Sequence, residues 1–135
     1  MSVAVVDVAN VMGARADGWW RDRAGAALRL GRQVMALAAR ADSPAAAWVL
    51  VVEGRARDAA AVLAGEAGPA GEAGPGRVRV VSAPGSGDDA IVGVVAEAVA
   101  AAQSCLVVTA DRELRQRCED LSASVVGPVW LLRLL

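Results

Sequence analysis

The sequence predicts a single α/β domain built on a mainly parallel sheet of about five strands, and three observations carry that expectation. Short apolar runs alternate with longer stretches at helical spacing, the pattern of repeated strand and helix units. The runs, "SVAVVDV", "AAWVLVV", "RVRVVS", "CLVVT" and the short "SVV", are mostly continuous, as in strands covered on both faces. A length of 135 residues suffices to bury a core without disulfide or metal staples.

Taken in order, the first run covers residues 2–8 and is interrupted by a single acid, Asp7. Residues 19–41 carry Leu28, Gly31, Met35 and Ala38 on one stripe with Leu30, Val34 and Leu37 beside it, a broad apolar face for packing on a sheet. The second run spans 46–52, and Arg55 to Leu63 read as a shorter helix. Residues 65–76, "GEAGPAGEAGPG", repeat Gly every third position. So few triplets cannot make a collagen helix, and a flexible Gly-rich surface connection is expected. After the third run, residues 88–102 place Ile91, Val94, Val95, Ala98, Val99 and Ala102 on one face, the clearest helix of the chain. The fourth run ends at Thr109. A helix over 111–121 gathers Leu114, Cys118 and Leu121, and "GPVWLLRLL" closes the fold with a last apolar turn or helix that leaves a homodimer open.

Composition removes whole reaction classes. There is no His, and all 14 basic residues are Arg. Without His there is no Ser/His/Asp triad, no Cys/His pair and no His-based metal site. Without Lys there is no P-loop clamp and no Schiff base. The hydrophobic fraction of 56% is largely alanine, which points to Ala-rich helices and not to a membrane protein. Residues 90–110 have the length of a span but carry Glu97, Gln103 and Ser104, and a helix followed by a strand explains them better. Cys105 and Cys118 fall at core positions without CxxC spacing, which suits free thiols in a reducing cytoplasm. The first residues lack a basic segment, so a signal peptide is not expected.

On this scaffold the acids collect. Asp7 ends the first strand, Glu53 follows the second, Asp88 and Asp89 open the helix after the third, and Asp111 follows the fourth. In open parallel sheets the ligand crevice lies beyond the carboxyl ends of the strands, where their order reverses. Like charges gathered there raise each other's pKa or call for a cation. Hard oxygen ligands suit Mg²⁺ or Mn²⁺, and such a site serves phosphoryl chemistry, needing neither His nor Lys. Each acid also has a plainer use: Asp88 and Asp111 could cap helices, and Glu53 and Asp89 could be surface groups. Asp7 is different, because a carboxylate ending an apolar central strand costs several kcal/mol unless paired or metal-bound. Asn10 could orient a water or hold Asp7 in place.

The strings "VVDVANVMG", "GWWRDR", "GSGDDAIV" and "VVTADRELRQR" resemble the PIN-like nucleases, in particular the NYN branch and its bacterial relatives, over nearly the whole chain. The most specific matches are D-x-x-N at Asp7 and Asn10, D-D/E-x-I at Asp88, Asp89 and Ile91, and T/S-x-D at Thr109 and Asp111. The resemblance implies a three-layer α/β/α fold of sheet order 3-2-1-4-5 and Mg²⁺- or Mn²⁺-dependent cleavage of single-stranded or structured RNA. It implies Asp7, Asp88 and Asp111 as metal-facing acids, Glu53 and Asp89 as looser candidates, Asn10 as the neighbour that positions Asp7, and Thr109 as a hydroxyl near the last acid. The chain departs from the common pattern in carrying Val8 after Asp7 and in lacking a second acid soon after Asp111.

The net charge of −1 gives no global basic footprint. Locally, Arg15, Arg21, Arg23, Arg55, Arg57 and Arg112 fall on the same edge as the acids, where guanidinium could grip phosphate. Against that, Arg21, Arg23 and Arg57 could pair with Asp17, Asp22 and Asp58. Trp19 and Trp20 stand at a helix entry near the crevice, where one indole could stack on a base and the other anchor the loop; Trp48 and Trp130 are assigned to packing. The function expected is a cytoplasmic, metal-dependent endoribonuclease. Its rivals are a phosphohydrolase of free nucleotides, a non-catalytic RNA- or protein-binding module, and the toxin of a pair with an antitoxin partner.

Overall fold

The first strand, β1 (Ser2–Asp7), is buried from Val3 to Asp7, and its side chains divide by the period of two between opposite faces of the sheet. The computed structural model describes residues 2–68 and 77–135. In it β1 is the middle of a five-stranded sheet of order β3-β2-β1-β4-β5, completed by β2 (Ala47–Val52), β3 (Arg77–Ser82), β4 (Ser104–Val108) and β5 (Ser124–Val126). Every pairing is parallel. The order is the one the PIN-like resemblance implies, with helices on both faces.

The helices are α1 (Val8–Gly13), α2 (Arg23–Ala38), α3 (Ala60–Ala67), α4 (Gly87–Ala100), α5 (Arg112–Asp120) and α6 (Pro128–Leu132). Ala4 and Val6 point into one core with Trp48, Leu50, Val52, α1, α2, α3 and Leu131 of α6. Val3 and Val5 point into the other, with Val49, Val51, Cys105 and Val107 against Ile91, Val94 and Val95 of α4 and Leu114 and Cys118 of α5. Trp48 is buried as expected, its indole N–H donating to Ser43 Oγ at 3.1 Å. Trp130 packs half-buried against the first core. Both cysteines are free and buried, and burial pushes the Cys118 thiol up to about 11. Among the described residues no helix is long and apolar enough to cross a membrane.

Several boundaries differ from the sequence reading, each for a local reason. The first strand stops at Asp7, whose side chain caps α1, so Val8 is already helical. The stretch at 19–41 is a 3-10 turn (Trp19–Arg21) followed by α2, because Asp22 leaves helical geometry and caps α2 through Gly25 N–H at 2.9 Å. The short helix after β2 begins with a 3-10 turn (Gly54–Ala59) and runs on to Ala67. Of the connection expected at 65–76, residues 65–67 are therefore helical, and 69–76 lie outside the described residues. At the far end of α4, Val99 is 38% exposed and Ala102 has left the helix at φ 57°.

Leu50 is fully buried on the strand paired with β1. Leu50→Ala removes its packing and leaves a void, so it is expected to lower stability by about 2–5 kcal/mol. A urea titration would read this as a lower midpoint at unchanged slope.

Candidate active site

Parity along the strands decides which polar groups meet. Asp7 follows Val3 and Val5 onto the face covered by α4 and α5, and Glu53 and Thr109 continue Val49, Val51 and Cys105, Val107 onto the same face. The order reverses between β1 and β4, so this edge is the switch point at which crevices form. Helices that return antiparallel to the strands begin at the same rim, which brings in the first turns of α4 and α5.

Asp7 is 7% exposed. Its Oδ2 accepts from Thr109 Oγ1–H at 2.9 Å and its Oδ1 from the Asn10 backbone N–H at 3.3 Å. Asn10 Oδ1 in turn accepts from Ala110 N–H at 2.8 Å. Thr109 Oγ1 accepts from Asp111 N–H at 3.2 Å, and Asp111 Oδ1 caps α5 through Leu114 N–H at 2.9 Å. A single network thus ties the end of β1, the first turn of α1 and the junction of β4 with α5. Asn10 and Thr109 hold Asp7 from both sides.

Burial is the main cause that raises the Asp7 carboxyl, to about 6 from its ordinary 3.8; the charges of Asp88 and Glu53 add to it, and the Thr109 and Asn10 hydrogen bonds oppose it. Asp88 is raised in the same direction, first by partial burial, then by Asp111 and Glu53, against the opposing charge of Arg117. Asp88 therefore stands between the others electrostatically, acting on Asp7 and acted on by Asp111 and Glu53.

The remaining candidates separate by role. Glu53 Oε2 accepts from Gly87 N–H at 2.7 Å at the start of α4, and Ser86, not Asp88, is the capping residue of that helix. Asp89 turns outward and takes Arg117 as its partner at 3.0 Å. Asp17 pairs with Arg29 at 3.8 Å, and Asp22 is occupied as a cap, so neither neutralises Arg21 or Arg23. Arg57 donates to the backbone oxygens of Gly54 and Ala83. Arg15 is half-buried and Arg55 and Arg112 are exposed. The bridge from Asn10 to Ala110 and the pairing of Asp89 with Arg117 were not read from the sequence. The first depends on a loop geometry that no spacing encodes, and the second joins helices 28 residues apart.

Among the described residues, no three acidic or thiol side chains converge closely enough to hold a metal ion as they stand. The chemistry of the donor set nevertheless fits a hard divalent cation. It is all carboxylate oxygen, and its most buried member is a group whose ionised form a cation would favour. Asp88 and Asp111 are only partly buried.

No protein-family model matches the chain, and no curated protein matches it. Among solved structures it is similar to Rae1 (YacP) from Bacillus subtilis, with a TM-score of 0.66 at 15% identity over 98% of this chain and 74% of that one. The two share a fold.

Because the Asp7 carboxyl is raised on folding, its contribution to stability is fully present below pH 3.8 and is lost as pH climbs through about 6. The loss is on the order of 3 kcal/mol. Asp7→Asn is therefore expected to raise the urea midpoint at pH 8, with the gain disappearing by pH 4; a midpoint series across that range checks it.

Proposed function

We propose that the chain is a metal-dependent endoribonuclease of PIN-like, NYN-related type that hydrolyses RNA phosphodiesters. The observation that carries this reading is the buried Asp7 at the switch point, its carboxyl raised further by Asp88 and Glu53, with Asp111 acting in turn on Asp88. The fold shared with Rae1 supports it. Asp7, Asp88 and Asp111 would hold Mg²⁺ or Mn²⁺, with the second oxygen of Glu53 available beside its bond to Gly87. When bound, such an ion lowers the pKa of a water and polarises the phosphodiester. Asn10 and Thr109 fix the orientation of Asp7, and they hold it by bonds that favour the ionised form. Asp89, engaged with Arg117, braces α4 against α5 instead of facing the ion. Arg15, Arg55 and Arg112, none of them fully buried, would meet backbone phosphates.

The spacing of the acids favours one alternative, a non-catalytic RNA- or protein-binding module. One experiment separates the readings: the purified protein is incubated with an unstructured RNA, and separately with mononucleotides, in Mg²⁺, in Mn²⁺ and in excess chelator. Internal cleavage of RNA only with metal is expected. Turnover of mononucleotides alone would indicate a nucleotide phosphohydrolase, and binding without cleavage would indicate the module. In the active case, Asp7→Asn, Asp88→Asn and Asp111→Asn are each expected to reduce cleavage about 100-fold or more. Asp89→Asn is expected to stay within about 10-fold.

A further inference from the structure

We infer that the segment from Trp19 to Arg23 is a stacking platform for an unpaired base, a binding subsite apart from the acids of the proposed site; the choice of RNA as the polymer rests on the nuclease reading. Two indoles stand side by side there, edge to face, with ring centres 6.1 Å apart. Their roles differ. Trp19 is half-buried against the α1 and α2 core, and its ring lies against the end of α1 near Gly13. Trp20 is 56% exposed, even with the Arg21 guanidinium above its ring at 5.8 Å. A residue with so large an apolar surface gains nothing in the folded chain from standing in water.

The cations beside the rings are engaged with the indoles and not with acids. Arg23 lies over Trp19 at 5.5 Å, and the acids nearest in sequence are engaged elsewhere, Asp17 by Arg29 and Asp22 by the Gly25 N–H. Neither Arg21 nor Arg23 has a carboxylate partner among the described residues. A base laid on Trp20 would therefore find guanidinium groups within reach of its flanking phosphates, the combination that holds single strands without reading their sequence. A duplex keeps its bases inside the stack and cannot use the indole.

The position of the platform suits the site. Asp7 caps the first turn of α1 and Trp19 packs on its last, so the two are joined by a helix of six residues, about 9 Å long. Asp7 and the platform thus stand at the two ends of α1.

Binding tests this, measured in chelator so that cleavage plays no part, with three labelled probes: an unpaired RNA strand, the same strand annealed to its complement, and an abasic ribose-phosphate strand. The unpaired strand is expected to bind most tightly. Trp20→Ala is expected to weaken it about 5- to 140-fold without changing the dependence on salt, and Trp20→Phe to recover most of the loss. Arg21→Ala is expected to flatten the salt dependence by about 0.7 in the log–log slope. Because Trp20 is exposed, an unchanged urea midpoint will confirm that these variants fold. Equal affinity of Trp20→Ala and the parent protein, or preference for the duplex, would overturn the platform. Absence of RNA binding would overturn it too. If the unpaired strand binds through Trp20 but metal fails to cut it, the nuclease reading falls alone. If metal cuts RNA whatever the residue at position 20, the platform falls alone.

Discussion

Asp7 has lost nearly all its contact with water, and the two hydrogen bonds it accepts do not compensate the desolvation, which is why its carboxyl is driven up to about 6. A group held in that state destabilises the fold at neutral pH, and apolar packing elsewhere must offset it. The surroundings show how. Val3, Val5 and Val6 before it and Val8 after it are all buried, so the strand has no freedom to turn the acid outward. The acid is fixed by the same packing that fixes the central strand.

The rest of the rim follows from that strand. Period-two alternation brings Glu53 and Thr109 to the same face, and the reversal of strand order between β1 and β4 leaves space above it. The loops then convert backbone needs into site geometry. Asp111 satisfies the start of α5, Glu53 satisfies the start of α4, and Asn10 satisfies Ala110. Capping and chemistry are not rival uses of these side chains. Each of these caps engages one carboxylate oxygen, Oδ1 of Asp111 and Oε2 of Glu53, and so does not by itself use up the group.

Much of this was legible in the sequence because the signals were local. Continuous apolar runs gave the five strands, and the break in apolarity at Asp7 marked the end of the central one. Residues 8–13 were less legible: the first apolar run takes in Val8, and the residues after it carry no clear pattern until Asp7 is seen to cap a helix there. The fate of the arginines was not legible at all. Asp17 and Asp22 sit beside Arg21 and Arg23 in the chain, yet the loop after α1 sets Asp17 against Arg29 of α2, and capping commits Asp22 to the α2 backbone. Asp89 was similarly ambiguous: adjacent to Asp88 in sequence, it points away on the helix and meets a cation from α5.

The most direct test of the central claim is the titration of the Asp7 side-chain carboxyl by carbon-detected NMR, with and without Mg²⁺. The account predicts a midpoint near 6 in the free protein, falling below the ordinary 3.8 when the ion is present. A midpoint near 3.8 that Mg²⁺ leaves in place would contradict it, because Asp7 would then be neither desolvated by the fold nor a ligand.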